Sequence, residues 1–272
     1  GRRDMSLISE TFDRLADRNE GALVAYVTGG DPNVEMTNKI VLSLADGGAD
    51  IVEIGIPFSD PIADGPTIQA AANRALKAKT SPAEILSLVG EVKRERTVPV
   101  VLLTYYNPVY RMGLENFFES AARFGVDGVI VPDLPIEESL QYVKVAHGYD
   151  VDTVFLAAPS TSNGRLRRIA SQSSGFLYLA SHFGVTGTRR HLEKNLPRLV
   201  RRTRRVAYKL PVCVGFGIST PSHVATVLRA GANGAIVGSA LVEILARNSN
   251  REELLRLVTR SVSELKTATH KS

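Results

Sequence analysis

Short apolar segments alternate with amphipathic ones about eight times along this chain, and that alternation limits its fold more than any other feature. The apolar segments read as strands at 23–28, 51–54, 98–104, 128–131, 153–157, 176–180, 212–215 and 234–237. Helical spacing fills 35–46, 67–78, 82–95, 114–123, 136–146, 163–171, 192–208, 221–230, 241–247 and 251–268, with one extra helix expected at 6–18. Most of the strands are apolar on both alternating faces, as strands of a parallel sheet buried on both sides must be. Eight strand–helix units of this kind predict a closed (β/α)8 barrel, an α/β fold with its helices outside and an extra helix in front. The competing topology is an open doubly wound sheet. It would place a dinucleotide fingerprint after the first strand, and the loop there, TGGDP, lacks that glycine spacing. No Pro/Gly/Ser-rich break divides the sequence, so residues 1–272 are expected to form one TIM-barrel domain.

Composition excludes several classes of function. Cys213 is the sole cysteine, so there is no intramolecular disulfide and no cysteine zinc cluster, and a reducing, cytoplasmic setting is expected. No run of eighteen apolar residues is present, so no membrane span is predicted. The opening GRRDMSL has no apolar stretch behind its arginines and is not read as a secretory signal. Met5 is a candidate natural start, and residues 1–5 are expected to lie outside the ordered domain. The net charge of +5 invites a nucleic-acid reading, with Arg201, Arg202, Arg204 and Arg205 following Arg189, Arg190, Lys194 and Arg198. No nucleic-acid motif surrounds that cluster, and the chain is poor in aromatics and lacks Trp. The cluster reads as the solvated face of one helix, with steering of anionic ligands as its functional alternative.

In a barrel of this type the working groups sit at the C-terminal ends of the strands and on the loops after them. The stretch VEIGIPFSDPIADGP (52–66) ends strand two and forms its loop. Alternation that points Val52 and Ile54 toward the helices points Glu53 into the barrel. Desolvation there raises a carboxyl's pKa and makes it a proton donor and acceptor near neutral pH. The bland alternative is a structural glutamate paired with a buried cation. Pro57, Pro61 and Pro66 stiffen the loop that carries Asp60 and Asp64, although either aspartate could serve only as a turn or helix cap. GFGIS (215–219) after strand seven and GSA (238–240) after strand eight each precede a helix, an arrangement that suits a phosphate. SHFGVTGTR (181–189) after strand six carries Gly184 and Gly187 around Thr186 and reads as a lid or as an ordinary surface loop.

Taken in order, VTGGDP (27–32), VEIGIPFSDPIADGPTIQ (52–69), TYYNPVY (104–110), VPDLPIEES (131–139), GVTGTR (184–189) and VGFGIS (214–219) resemble the tryptophan synthase alpha chain family over nearly the whole length. The resemblance implies a lyase of L-tryptophan biosynthesis that cleaves indole-3-glycerol phosphate into indole and glyceraldehyde 3-phosphate by a retro-aldol step. It implies no cofactor or metal on this chain. The expected partner is a beta chain carrying pyridoxal phosphate, in an alpha2-beta2 heterotetramer. By the same resemblance Glu53 is the general acid/base, Asp64 holds the indole N–H, and Tyr178 is an active-site tyrosine. Tyr26, Leu103, Ile130 and Phe216 would line the indole pocket. Gly187, Gly217, Gly238 and Ser239 would bind phosphate, and Thr186 would latch the lid onto Asp64. Pro57, Asp60 and Asn107 fall where the family meets its beta chain. Tyr26 stands where a phenylalanine is common, and His182 and Phe183 depart from the usual lid residues. His182 and His191 read as surface residues. The alternatives are another phosphate-binding barrel enzyme, a stand-alone lyase that releases free indole, and a non-catalytic regulator, against which Glu53, Asp64 and Tyr178 argue.

Overall fold

The computed structural model describes residues 6–181, 189–247 and 250–271, with the side chains of 189–194 excepted. The expectation for residues 1–5 and the lid positions His182, Phe183, Gly184, Thr186 and Gly187 lie outside the described residues.

Among the described residues nine short strands form one parallel sheet: β1 (Ala22–Thr28), β2 (Ile51–Gly55), β3 (Val100–Leu103), β4 (Gly128–Ile130), β5 (Asp152–Val154), β6 (Leu156–Ala157), β7 (Leu177–Ala180), β8 (Val212–Gly215) and β9 (Gly234–Val237). Their order is β5-β4-β3-β2-β1-β9-β8-β7-β6. β5 and β6 are two halves of one stave, separated by Phe155 alone, so the open order describes a closed eight-stave barrel. The first half pairs with β4 and the second with β7, and the Phe155 carbonyl still accepts from the Tyr178 N–H at 3.0 Å.

Side-chain alternation splits the core in two. Outward residues such as Leu23, Val52, Ile54, Val100 and Val214 pack under the surrounding helices. Inward residues Val24, Ile51, Val101, Ile130, Val154 and Cys213 fill the barrel. The predicted extra helix, α1 (Leu7–Asp17), closes the bottom of that inner core with Ile8, Phe12 and Leu15. Ser6 caps α1 by accepting from the Ser9 N–H, and its own hydroxyl donates to Asp152 Oδ2 at 2.6 Å. Each of the three apolar side chains contributes about 1.5–3 kcal/mol on burial. With the bottom plugged, the barrel interior opens toward the C-terminal ends of the strands.

Two helices position the site: α3 (Pro66–Lys77), which follows the loop after β2, and α11 (Ser239–Arg247), which follows β9. In chain order the others are α2 (Val34–Asp46), α4 (Pro82–Glu95), α5 (Tyr106–Met112), α6 (Leu114–Arg123), α7 (Leu140–Gly148), α8 (Asn163–Gln172), α9 (Arg189–Ala207), α10 (Pro221–Arg229) and α12 (Arg251–Thr267). α5 has no counterpart among the expected elements. Pro108 is its third residue, in the first turn, where the missing N–H has no helical acceptor to lose. The helix expected over 136–146 begins instead as a separate 3₁₀ turn, Ile136–Glu138. α12 is tied to the barrel's lower rim: Lys266 Nζ reaches Glu20 Oε2 at 3.0 Å and Asp50 Oδ2 at 2.9 Å.

On α9, Arg198, Arg201, Arg204 and Arg205 are exposed, in keeping with a solvated face. Arg202 is half-buried, and its guanidinium donates to the Pro159 and Thr161 carbonyls.

Candidate active site

At the open end lies a cavity of about 340 Å³ whose wall includes Tyr26, Glu53, Asp64, Leu103, Tyr178 and Phe216. Glu53 is the central residue of β2 and is opposed in register by Tyr26. It points inward, between outward-facing Val52 and Ile54, and is 1% exposed. No ion pair reaches it among the described residues, and its Oε2 has no hydrogen-bond partner. The bland reading, a glutamate held by a buried cation, therefore finds no cation. Burial, and then the nearby Asp64 charge, push its carboxyl up from 4.5 to about 8.

Asp64 sits on the loop between β2 and α3. The cap position of α3 is Gly65, and no side chain caps that helix, so Asp64 is not spending its carboxylate there. Its backbone does the local work, with the N–H donating to the Pro61 carbonyl and the carbonyl accepting from Gln69 Nε2. Burial raises its pKa to about 6, opposed by a hydrogen bond from the Tyr105 hydroxyl. At neutral pH the pair is thus differentiated: Glu53 is mostly protonated and Asp64 mostly ionised.

Tyr105 was not singled out from the sequence, although TYYNPVY lies at the exit of β3. Its hydroxyl accepts from the Ala63 N–H at 2.9 Å and donates to Asp64, and its ring stacks on Phe58 with centroids 5.4 Å apart. One phenol therefore pins the loop at three points. An aromatic residue directly after an apolar strand was the signal available.

Tyr26 on β1 and Tyr178 on β7 both line the cavity. The Tyr26 hydroxyl bonds Thr28 Oγ1 at 3.1 Å, and the Tyr178 ring lies 5.8 Å from that of Phe216. Each ring lies over a glycine on the next strand. A Cβ on Gly55 would collide with the Tyr26 hydroxyl, and one on Gly215 with that of Tyr178. Ile130 is fully buried in the inner core and is not part of the cavity wall. Burial pushes the Cys213 thiol far up, so it is no nucleophile.

The loops after β8 and β9 and the start of α11 add Gly217, Ile218, Ser219, Gly238, Ser239, Ala240 and Glu243 to the cavity wall. Phe216 and Gly217 both have left-handed backbone, at φ 72° and 73°. That conformation is costly for phenylalanine, and functional loops are where such strain collects. α11 starts at Ser239, so its first amides lack helical acceptors and face an anion favourably. Of the expected interface residues, Asp60 and Asn107 are exposed and Pro57 is buried. No group of three or more His, Cys, Asp or Glu side chains able to hold a metal occurs among the described residues.

Known proteins match this chain in sequence and in fold. The family model for the tryptophan synthase alpha chain matches residues 12–270. A tryptophan synthase alpha chain from Prochlorococcus marinus is 41% identical over 266 residues, covering 98% of this chain and 95% of that one. The alpha chain of Methanosarcina acetivorans is 46% identical over 255 residues, covering 94% and 92%. The crystal structure of a tryptophan synthase complex from Pyrococcus furiosus includes a chain that superposes with a TM-score of 0.82 at 42% identity, covering 91% of this chain and 98% of that one. With this match over almost its full length, the chain belongs to the tryptophan synthase alpha chain family.

Proposed function

We propose that this chain catalyses the alpha reaction of L-tryptophan biosynthesis, the cleavage of indole-3-glycerol phosphate to indole and glyceraldehyde 3-phosphate. The observation that carries the reading is Glu53, a buried carboxyl that no cation among the described residues reaches, near an ionised Asp64 in a pocket that the first residues of α11 also line. Protonated Glu53 gives its proton to C3 of the indole, which places a positive charge on the ring nitrogen. Asp64 accepts the N–H hydrogen bond and stabilises that charge. Glu53, now ionised, takes the proton of the glycerol hydroxyl next to C3. The C–C bond breaks, its electron pair returns to the indole ring, an aldehyde forms, and Glu53 ends protonated as it began. Tyr26, Leu103, Tyr178 and Phe216 enclose the indole, while Gly217, Gly238 and Ser239 hold the phosphate. Thr186 and Gly187 are assigned to the lid and phosphate contacts by resemblance.

A beta chain is the expected partner, in an alpha2-beta2 assembly with pyridoxal phosphate on the beta chain. Support comes from the rim. Ile62, Tyr110 and Leu140, on the segments that follow β2, β3 and β4, are 80%, 71% and 71% exposed, beside exposed Asp60 and Asn107. A cytoplasmic setting fits the single buried thiol, and no described helix is long and apolar enough to cross a membrane. The deciding experiment is indole release from indole-3-glycerol phosphate by wild type and Glu53→Gln, with and without a beta chain. The variant should keep its circular dichroism spectrum and lose about 10²–10⁴-fold in kcat. A folded variant with most of its activity would overturn the assignment.

A further inference from the structure

The cavity assigned to a phosphorylated substrate is acidic. Among the described residues its wall holds three carboxyl groups, the protonated Glu53 and the carboxylates Asp64 and Glu243, and neither lysine nor arginine. Glu53 and Asp64 have roles toward the indole. Glu243 does not. It stands four residues past Ser239 on α11, on the same helical face, and shares the cavity wall with Ser219, Ser239 and Ala240. It is no buried structural group: its side chain is 48% exposed, and its ion pair is with Arg247 at 3.6 Å, itself 79% exposed. Amides at a helix start attract a phosphate, and a carboxylate one turn away repels it.

We propose that Glu243 sets the affinity of the phosphate subsite, keeping it weak by like-charge repulsion so that the phosphorylated aldehyde can leave, with Arg247 moderating that repulsion. This rests on the lyase reading above. Glu243 acts without touching the reacting atoms, so its signature is in binding and its salt dependence.

The test is calorimetric binding of glycerol 3-phosphate to the full chain at about 20 mM and about 0.5 M salt, where screening lengths differ several-fold. Glu243→Gln should tighten binding about 3–10-fold at low salt, with most of the gain lost at high salt. Glu243→Asp should stay near wild type, and Arg247→Gln should weaken binding. Gly238→Val, whose Cβ would already stand 3.5 Å from Tyr26 and whose methyls crowd the cavity wall beside Ser239, should weaken binding strongly and serves as the control. If Gly238→Val weakens binding while Glu243→Gln leaves it unchanged, or tightens it equally at both salts, the role of Glu243 is refuted and the site reading stands. If neither variant changes the dissociation constant, the phosphate lies elsewhere and both readings fall.

Discussion

A carboxyl kept protonated by burial costs the fold stability whenever it ionises, and Glu53 allows that cost to be worked out. Its pKa stands at about 8 against an ordinary 4.5. For a group raised in this direction the contribution is fully present below the unfolded value and is lost as pH climbs through the folded one. At about 1.36 kcal/mol per pH unit, complete ionisation inside the barrel costs roughly 5 kcal/mol. Between about pH 5.5 and about pH 8.5 the loss through this one group is roughly 3 kcal/mol. Glu53→Gln removes the titration. Its buried amide brings a penalty of about 1–3 kcal/mol for unmade hydrogen bonds, but that penalty is the same at every pH. The quantity to read is therefore the change with pH. Urea unfolding of both proteins, followed by the near-ultraviolet circular dichroism of the tyrosines as native packing is lost, gives the stability difference at each pH. The variant should gain on wild type by roughly 3 kcal/mol across that interval. Asp50 and Asp127, also raised by burial, are present in both proteins and cancel. A difference that stays constant within about 0.5 kcal/mol would mean that Glu53 does not hold its proton near neutrality, and its role as the acid of the first step would go with it.

Asp64→Asn removes the charge that helps raise Glu53, so the alkaline limb of the kcat/KM profile should move to lower pH, with kcat down about 10²–10³-fold. A limb that does not move would separate the two carboxylates. Tyr105→Phe deletes the acceptor of the Ala63 N–H and the donor to Asp64, and should lower kcat/KM about tenfold while costing about 1 kcal/mol of stability in urea titration. Lys266→Met strands Glu20 and Asp50 without their shared cation and should cost about 3 kcal/mol by the same titration, with binding of glycerol 3-phosphate unchanged.

The barrel is legible in the sequence because its strands are apolar on both faces, and an acid inside one of them has few ordinary explanations. Glu53 could be picked out that way; the proline-stiffened loop offered Asp60 and Asp64 alike, and only the family resemblance singled out Asp64. Ile130 shows the limit of the method. Alternation says that it points inward, but not how deep it lies, and it belongs to the layer beneath the cavity although its register partner Leu103 lines the wall. α5 escaped notice because Tyr106–Met112 carries a proline that reads as a turn and is harmless only in a helix's first turn. Tyr105 escaped for a different reason. Its contacts with Ala63 and Asp64 span some forty residues of chain, and no local pattern encodes them. Glu243 looks from sequence like any exposed helical glutamate, and its position matters only once β8 and β9 bring Ser219 and Ser239 together.

The two tyrosine–glycine pairs bear on how the site can change over evolutionary time. Trading Tyr26 for phenylalanine would not make room at Gly55, because a ring carbon remains 2.9 Å from where a Cβ would sit; at Gly215 the Tyr178 ring carbons lie at 2.7 Å. Each glycine is thus locked to an aromatic ring, not to a hydroxyl, and neither glycine can be enlarged alone. A mutational path that enlarges either glycine must first lose the ring, and a path that moves the ring leaves a gap over bare backbone. Substrate range is therefore expected to diversify through single steps at Leu103, while an enlarged Gly55 or Gly215 requires a change at its ring partner, Tyr26 or Tyr178. A library that varies Gly55 by itself would return inactive clones, and one that varies it jointly with Tyr26 would sample cavity shapes that stepwise change does not reach.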